Sequence, residues 1–118
     1  MLGAAEWSGA YYLAGYAAEC ALKACITRAF GRYRIPDPQV MKDIYTHRLE
    51  TLVRVANLQP QLVLEMRNDQ DFGLNWAVAK DWTEASRYAT WTESEARDLY
   101  KAITQRNHGV LRWAKQHW

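Results

Sequence analysis

Residues 10–26 form an almost unbroken apolar run in which only Glu19 and Lys23 carry charge. A run of this length is either a membrane span or a helix buried in a protein core. Two charges near its middle make insertion into lipid costly, and the run is rich in Ala and Gly rather than Leu. A buried helix is therefore expected, from about Ala4 to Phe30, with Gly31 as its end. Leu13, Tyr16, Ala17, Cys20, Ala21 and Ala24 recur at helical spacing and define its expected core face.

The rest of the chain reads as further, shorter helices. Ile35-Pro36-Asp37-Pro38 is a stiff, non-helical connector. A second helix is expected over Thr46–Ala56, with Leu49, Leu52, Val53 and Ala56 as its stripe and Asn57 as a left-handed stop. Pro60 suits the first turn of a third helix, which begins with Leu62, Val63 and Met66. The polar stretch Asn68–Asp71 and Gly73 breaks that helix before Leu74, Trp76, Ala77 and Val78 resume. Thr92-Glu93-Ser94-Glu95 reads as a capping box. One last helix is expected behind it, carried by Ala96, Leu99, Tyr100, Ile103, Val110, Leu111 and Ala114. No segment sustains a period of two. The expected fold is all-α: a single domain over 1–118, an up-and-down antiparallel bundle of four to five helices.

Composition agrees with one globular domain that needs no disulfide or structural metal. The chain has 118 residues, 49% apolar and 24% charged. Six Trp and seven Tyr are an unusual load, and such rings fill cores and favour interfaces. A net charge of +2 does not by itself argue for nucleic acid. Cys20 and Cys25 sit about 140° apart around a helix and cannot pair or share a metal. No signal peptide is visible, so two buried thiols in a reducing cytosol are expected.

Four groups of residues carry chemistry. Glu19 and Lys23 stand four apart, either as a helix-stabilising pair or with Glu19 orienting a basic group on another helix. Lys23, Arg28, Arg32 and Arg34 form a basic cluster suited to a helix end or to phosphate. Trp82 with Arg87-Tyr88 combines rings and a cation, which fits a packed corner or a base and its phosphate. His47, His108 and His117 lack the spacing of a zinc site, and no phosphate loop or nucleophile elbow is present. No metal or cofactor is expected.

The string Tyr11-Tyr12-Leu13-Ala14-Gly15-Tyr16-Ala17-Ala18-Glu19-Cys20-Ala21-Leu22-Lys23-Ala24 resembles the first helix of HEPN domains, the higher eukaryotes and prokaryotes nucleotide-binding family. His47-Arg48-Leu49 resembles the family's His-x-Leu start of helix two. Trp82 with Arg87-Tyr88 is similar to the Arg-Tyr pair before its last long helix, whose apolar seam begins at Ala96. The resemblance implies a helical bundle that dimerises and binds a nucleotide or RNA. Glu19, Lys23, Arg87, Tyr88 and Arg106 are the binding residues expected from it. It also implies a nucleotidyltransferase as partner, as in toxin–antitoxin or nucleotide-handling pairs.

Many HEPN proteins are metal-independent ribonucleases that use Arg, four to six residues, then His. The pair at that spacing here is Arg112 and His117. His117 sits in a terminal stretch where helices fray, and Trp113 stands where nucleases carry a small polar residue. Arg106-Asn107 looks like the start of the motif without its continuation. A non-catalytic, cytoplasmic binding module is therefore expected. An endoribonuclease using Arg112 and His117 and a protein-contact adaptor are the alternatives.

Overall fold

The computed structural model describes residues 4–30, 38, 42 and 47–118. The described residues form an all-α bundle. Its elements are α1 (Ala4–Phe30), α2 (Leu49–Val55), α3 (Gln59–Asn68), α4 (Gln70–Ala79), a 3-10 turn (Glu84–Tyr88), α5 (Glu93–Thr104) and α6 (Val110–Lys115). The Pro-containing connector lies outside the described residues except for Pro38, and Thr46 lies outside them as well.

Helix α1 has the predicted bounds and is the spine of the bundle, packing against α2, the 3-10 turn, α5 and α6. Its buried face differs from the predicted one. Tyr11, Ala14, Ala18, Ala21, Leu22, Cys25 and Ile26 enter the core, whereas Leu13, Tyr16, Ala17, Cys20 and Ala24 are exposed. On an alanine-rich helix apolar residues lie on every side, so periodicity alone does not choose the inner one. Close approach chooses it. A Cβ on Gly15 would sit 2.3 Å from the indole of Trp82, so this glycine lets a fully buried Trp lie against the α1 backbone. Cys20 is thus an exposed thiol, and only Cys25 is buried. Burial pushes the Cys25 thiol up, and its S–H faces the carbonyl of Ala114 at 3.3 Å.

Helix α2 starts at Leu49, with His47 and Arg48 as a non-helical lead-in, and it ends before Asn57, which takes the expected left-handed φ of 60°. Pro60 occupies the first turn of α3. Asp69 divides α3 from α4: its backbone is extended, and its side chain accepts from the Phe72 N–H at 3.1 Å to cap α4. Trp91 anchors the turn before α5. Its ring stacks on Tyr11 at 3.8 Å, its indole N–H donates to the Ser86 carbonyl and its backbone N–H donates to Ser8 Oγ. The Thr92–Glu95 capping box then starts α5.

The predicted last helix is two helices. The chain leaves the helical path at Gln105 and re-enters at Val110. The Asn75 side-chain amide donates to Gln105 Oε1 at 2.8 Å and to the His108 carbonyl at 2.9 Å. A Cβ on Gly109 would meet the Gln105 carbonyl oxygen at 2.4 Å, which only glycine avoids. The segment Gln105–Gly109 holds no apolar side chain to keep it on the core, so a cross-helix amide and one glycine decide its path.

Gly15→Ala drives a methyl group into the Trp82 ring. Over-packing of this kind costs about 1–3 kcal/mol, and the lack of space beside the α1 backbone puts this site at the upper end. Urea denaturation followed by tryptophan fluorescence checks it, and a variant as stable as wild type contradicts the packing described.

Candidate functional site

Glu19 is 1% exposed on the core side of α1, among residues that are otherwise apolar. Its carboxylate accepts a hydrogen bond from Nδ1 of His47 in the lead-in to α2. The partner of Glu19 therefore comes from another segment, the non-helical lead-in to α2 rather than another helix. With Nδ1 turned to Glu19, the other ring nitrogen of His47 faces outward, 3.9 Å from Glu84 Oε2 at the start of the 3-10 turn. A buried carboxylate thus sets the ring's orientation, and an exposed carboxylate faces its outer edge. Lys23 lies one turn further along α1 and is half-buried.

The 3-10 turn that carries Arg87 and Tyr88 packs on α1, so their backbone belongs to this region, while their side chains lie outside the described residues. Trp82 is fully buried against Gly15. Its indole N–H has no hydrogen-bond partner among the described residues.

Arg106 stands apart from Glu19 and Lys23. It lies in the α5–α6 loop and lines a cleft of about 290 Å3 with Thr104, Gln105, Leu111, Arg112 and Lys115. Three cations, an amide and a hydroxyl face this cleft, and no carboxylate is among its lining residues. Arg112 is braced by Glu65 of α3, with Nη2 donating to Oε1 at 3.0 Å. Lys115 reaches over the Trp118 ring at 5.7 Å. This arrangement offers fixed and mobile positive charge to an anion.

His117 lines a different cleft, of about 320 Å3, with Cys25, Arg28, Ala29, Ala56, Leu58 and Gln116. It is not frayed. Its N–H donates to the Ala114 carbonyl at 3.0 Å, and its ring meets Trp113 edge-on at 5.2 Å. Burial first, and then Arg28, push the His117 pKa below the ordinary imidazole value, with Glu65 opposing. Arg28 also donates to the main-chain oxygen of Trp118 at 2.8 Å. Of the remaining basic cluster, Arg32 and Arg34 lie outside the described residues.

Two histidines with carboxylate partners were not among the site residues expected from sequence. His47 is the partner of Glu19, and His108 donates from Nδ1 to Asp69 Oδ2 at 2.6 Å. That hydrogen bond, first of all, holds the Asp69 carboxyl below the ordinary range. Both pairs join residues 28 or more apart, so local spacing carries no sign of them. No protein-family model, curated protein or solved structure matches this chain.

Glu19→Ala removes the acceptor that holds His47 and leaves the imidazole without its buried partner. The expected loss is about 1–3 kcal/mol, the cost of removing one partner of a part-buried hydrogen bond to a charged group. Glu19→Gln keeps an acceptor oxygen and should lose less. Urea titrations of both variants decide, and a loss below about 0.5 kcal/mol for Glu19→Ala, typical of an exposed helix pair, would contradict the buried bond.

Proposed function

We propose that this chain is a HEPN-type helical module that binds the phosphate of a nucleotide or RNA as a homodimer, without cleaving it. The observation that carries the reading is the cleft lined by Arg106 and Lys115, beside an Arg112 that is paired with Glu65. Side chains of this type recognise phosphate by charge and by multiple N–H donors. The ribonuclease alternative needs Arg and His to converge within one protomer or across a dimer. Within this chain Arg112 and His117 line separate clefts, and Arg112 is already committed to Glu65. That arrangement supports binding over cutting. The resemblance to HEPN domains adds a nucleotidyltransferase as heterologous partner.

Support for a dimer comes from α1. Leu13 is 63% and Tyr16 44% exposed, and Ala17, Cys20 and Ala24 continue the same apolar stripe at helical spacing. A long helix that keeps such a stripe in water leaves an apolar surface of the kind interfaces cover.

Binding is tested with labelled single-stranded RNA in the absence of metal, using wild type, an Arg106→Ala/Lys115→Ala double variant and His117→Ala. The RNA should stay intact with all three proteins. The double variant should bind roughly tenfold or more weakly, as expected when hydrogen bonds to a charged group are lost. Its salt dependence should also flatten, because fewer counterions are released. Cleavage by wild type that vanishes in His117→Ala would establish the ribonuclease instead. Equal binding by the double variant would remove the cleft from the site, and no binding by any protein would favour the adaptor.

Light scattering at tens of micromolar should give the mass of two chains for wild type and of one chain for Leu13→Arg, which places a charge in the stripe. A one-chain mass for wild type would end the dimer proposal.

A further inference from the structure

We infer that His108 and Asp71, with Asp69 behind them, form a binding site for a divalent transition-metal ion of the zinc class. The residues come from two places in the fold. Asp69 caps α4 and Asp71 lies in its first turn, while His108 belongs to the α5–α6 loop. One donor atom from each of the three lies within 4.8 Å of the others.

The roles follow from the hydrogen bonding. His108 donates from Nδ1 to Asp69 Oδ2 at 2.6 Å, so Nε2 is the ring nitrogen on which a metal ion would replace a proton. Nε2 lies 3.8 Å from Asp71 Oδ2. A carboxylate on one imidazole nitrogen, with the other nitrogen turned to a second ligand, is how metal-binding histidines are oriented and made more basic. Capping explains Asp69, which serves Phe72 and His108 with its two oxygens. Capping does not explain why the Asp71 carboxylate faces the outer nitrogen of the ring.

The geometry needs little adjustment. Metal–nitrogen and metal–oxygen bonds of about 2.0–2.2 Å span the gap between Nε2 and Oδ2 at a wide angle. Asp71 is 68% exposed at the side chain and is free to swing in towards a tetrahedral angle. His108 is held: Asn75 fixes its carbonyl, and Gly109 permits the tight turn that follows. One fixed ligand, one adjustable ligand and exposure to solvent leave positions for water on the ion. The mixed imidazole and carboxylate set suits zinc, cobalt or manganese better than calcium. A sequence search for two histidines four apart misses this set, because its donors are 37 residues apart in the chain, at Asp71 and His108.

The test is calorimetric titration of the full chain with zinc chloride alone, together with visible spectra after cobalt(II) addition. Wild type should take up one ion per chain with micromolar affinity and show cobalt d–d bands. Asp71→Asn should weaken binding about tenfold or more while leaving the circular dichroism of the metal-free protein unchanged, since its side chain is exposed. Asp69→Asn should weaken it about 10- to 100-fold, the usual effect of losing the partner of a ligating histidine. His108→Gln should abolish both binding and the cobalt bands. The inference is overturned if wild type shows neither heat nor cobalt bands at several hundred micromolar metal. It is also overturned if Asp71→Asn binds as wild type does, because the ion then sits on other residues. Neither outcome depends on RNA binding or on dimer formation.

Discussion

A carboxylate in the middle of the longest helix constrains the whole assembly. Glu19 sits on the inner face of α1 with the core on either side of it. A buried polar group of this kind is tolerated only with a partner, because water is not there to supply one. The partner is His47, and it fixes the point at which the chain enters α2. The same ring has Glu84 at its outer edge, which brings the start of the 3-10 turn to the same level of α1. Glu19 thereby ties the lead-in of α2 to the middle of α1 by a hydrogen bond, with Glu84 beside the pair. Apolar packing supplies most of the burial, but it is not directional in this way.

Element boundaries were legible wherever the local chemistry is strong. The capping box at Thr92, the proline in the first turn of α3 and the left-handed Asn57 each act within a few residues, so the sequence displays them directly. The inner face of α1 was not legible. Ala, Gly and Cys surround that helix, and long-range contacts such as Gly15 with Trp82, 67 positions apart, show which side is covered. The break between α5 and α6 was hidden for a related reason. Val110, Leu111 and Ala114 continue the helical rhythm across it, whereas the amide that opens the chain belongs to Asn75 on α4.

The candidate site divides in the same manner. Glu19 stood out because a charge on an apolar helix demands an explanation, and the structure gives it a partner. Arg106 was tied to Glu19 and Lys23 only by resemblance, and it lies instead in a separate cleft with Arg112 and Lys115. Those three residues become neighbours only after the chain turns at Gly109. Arg112 and His117 show the opposite relation: five positions apart in sequence, they line different clefts.

Asn75 also has a consequence for how the molecule opens. Its two hydrogen bonds hold the Gln105–Gly109 segment to α4, and Phe72 and Trp113 pack together with ring centroids 5.6 Å apart. Helix α6 is covalently the continuation of α5, and it packs on α1 and α5 as well as on α4. Local opening follows contacts rather than chain continuity. Helix α6 is therefore expected to open together with the core formed by α1, α4 and α5, whereas the loop at residues 105–109 is held by the two bonds from Asn75 and is expected to exchange earlier.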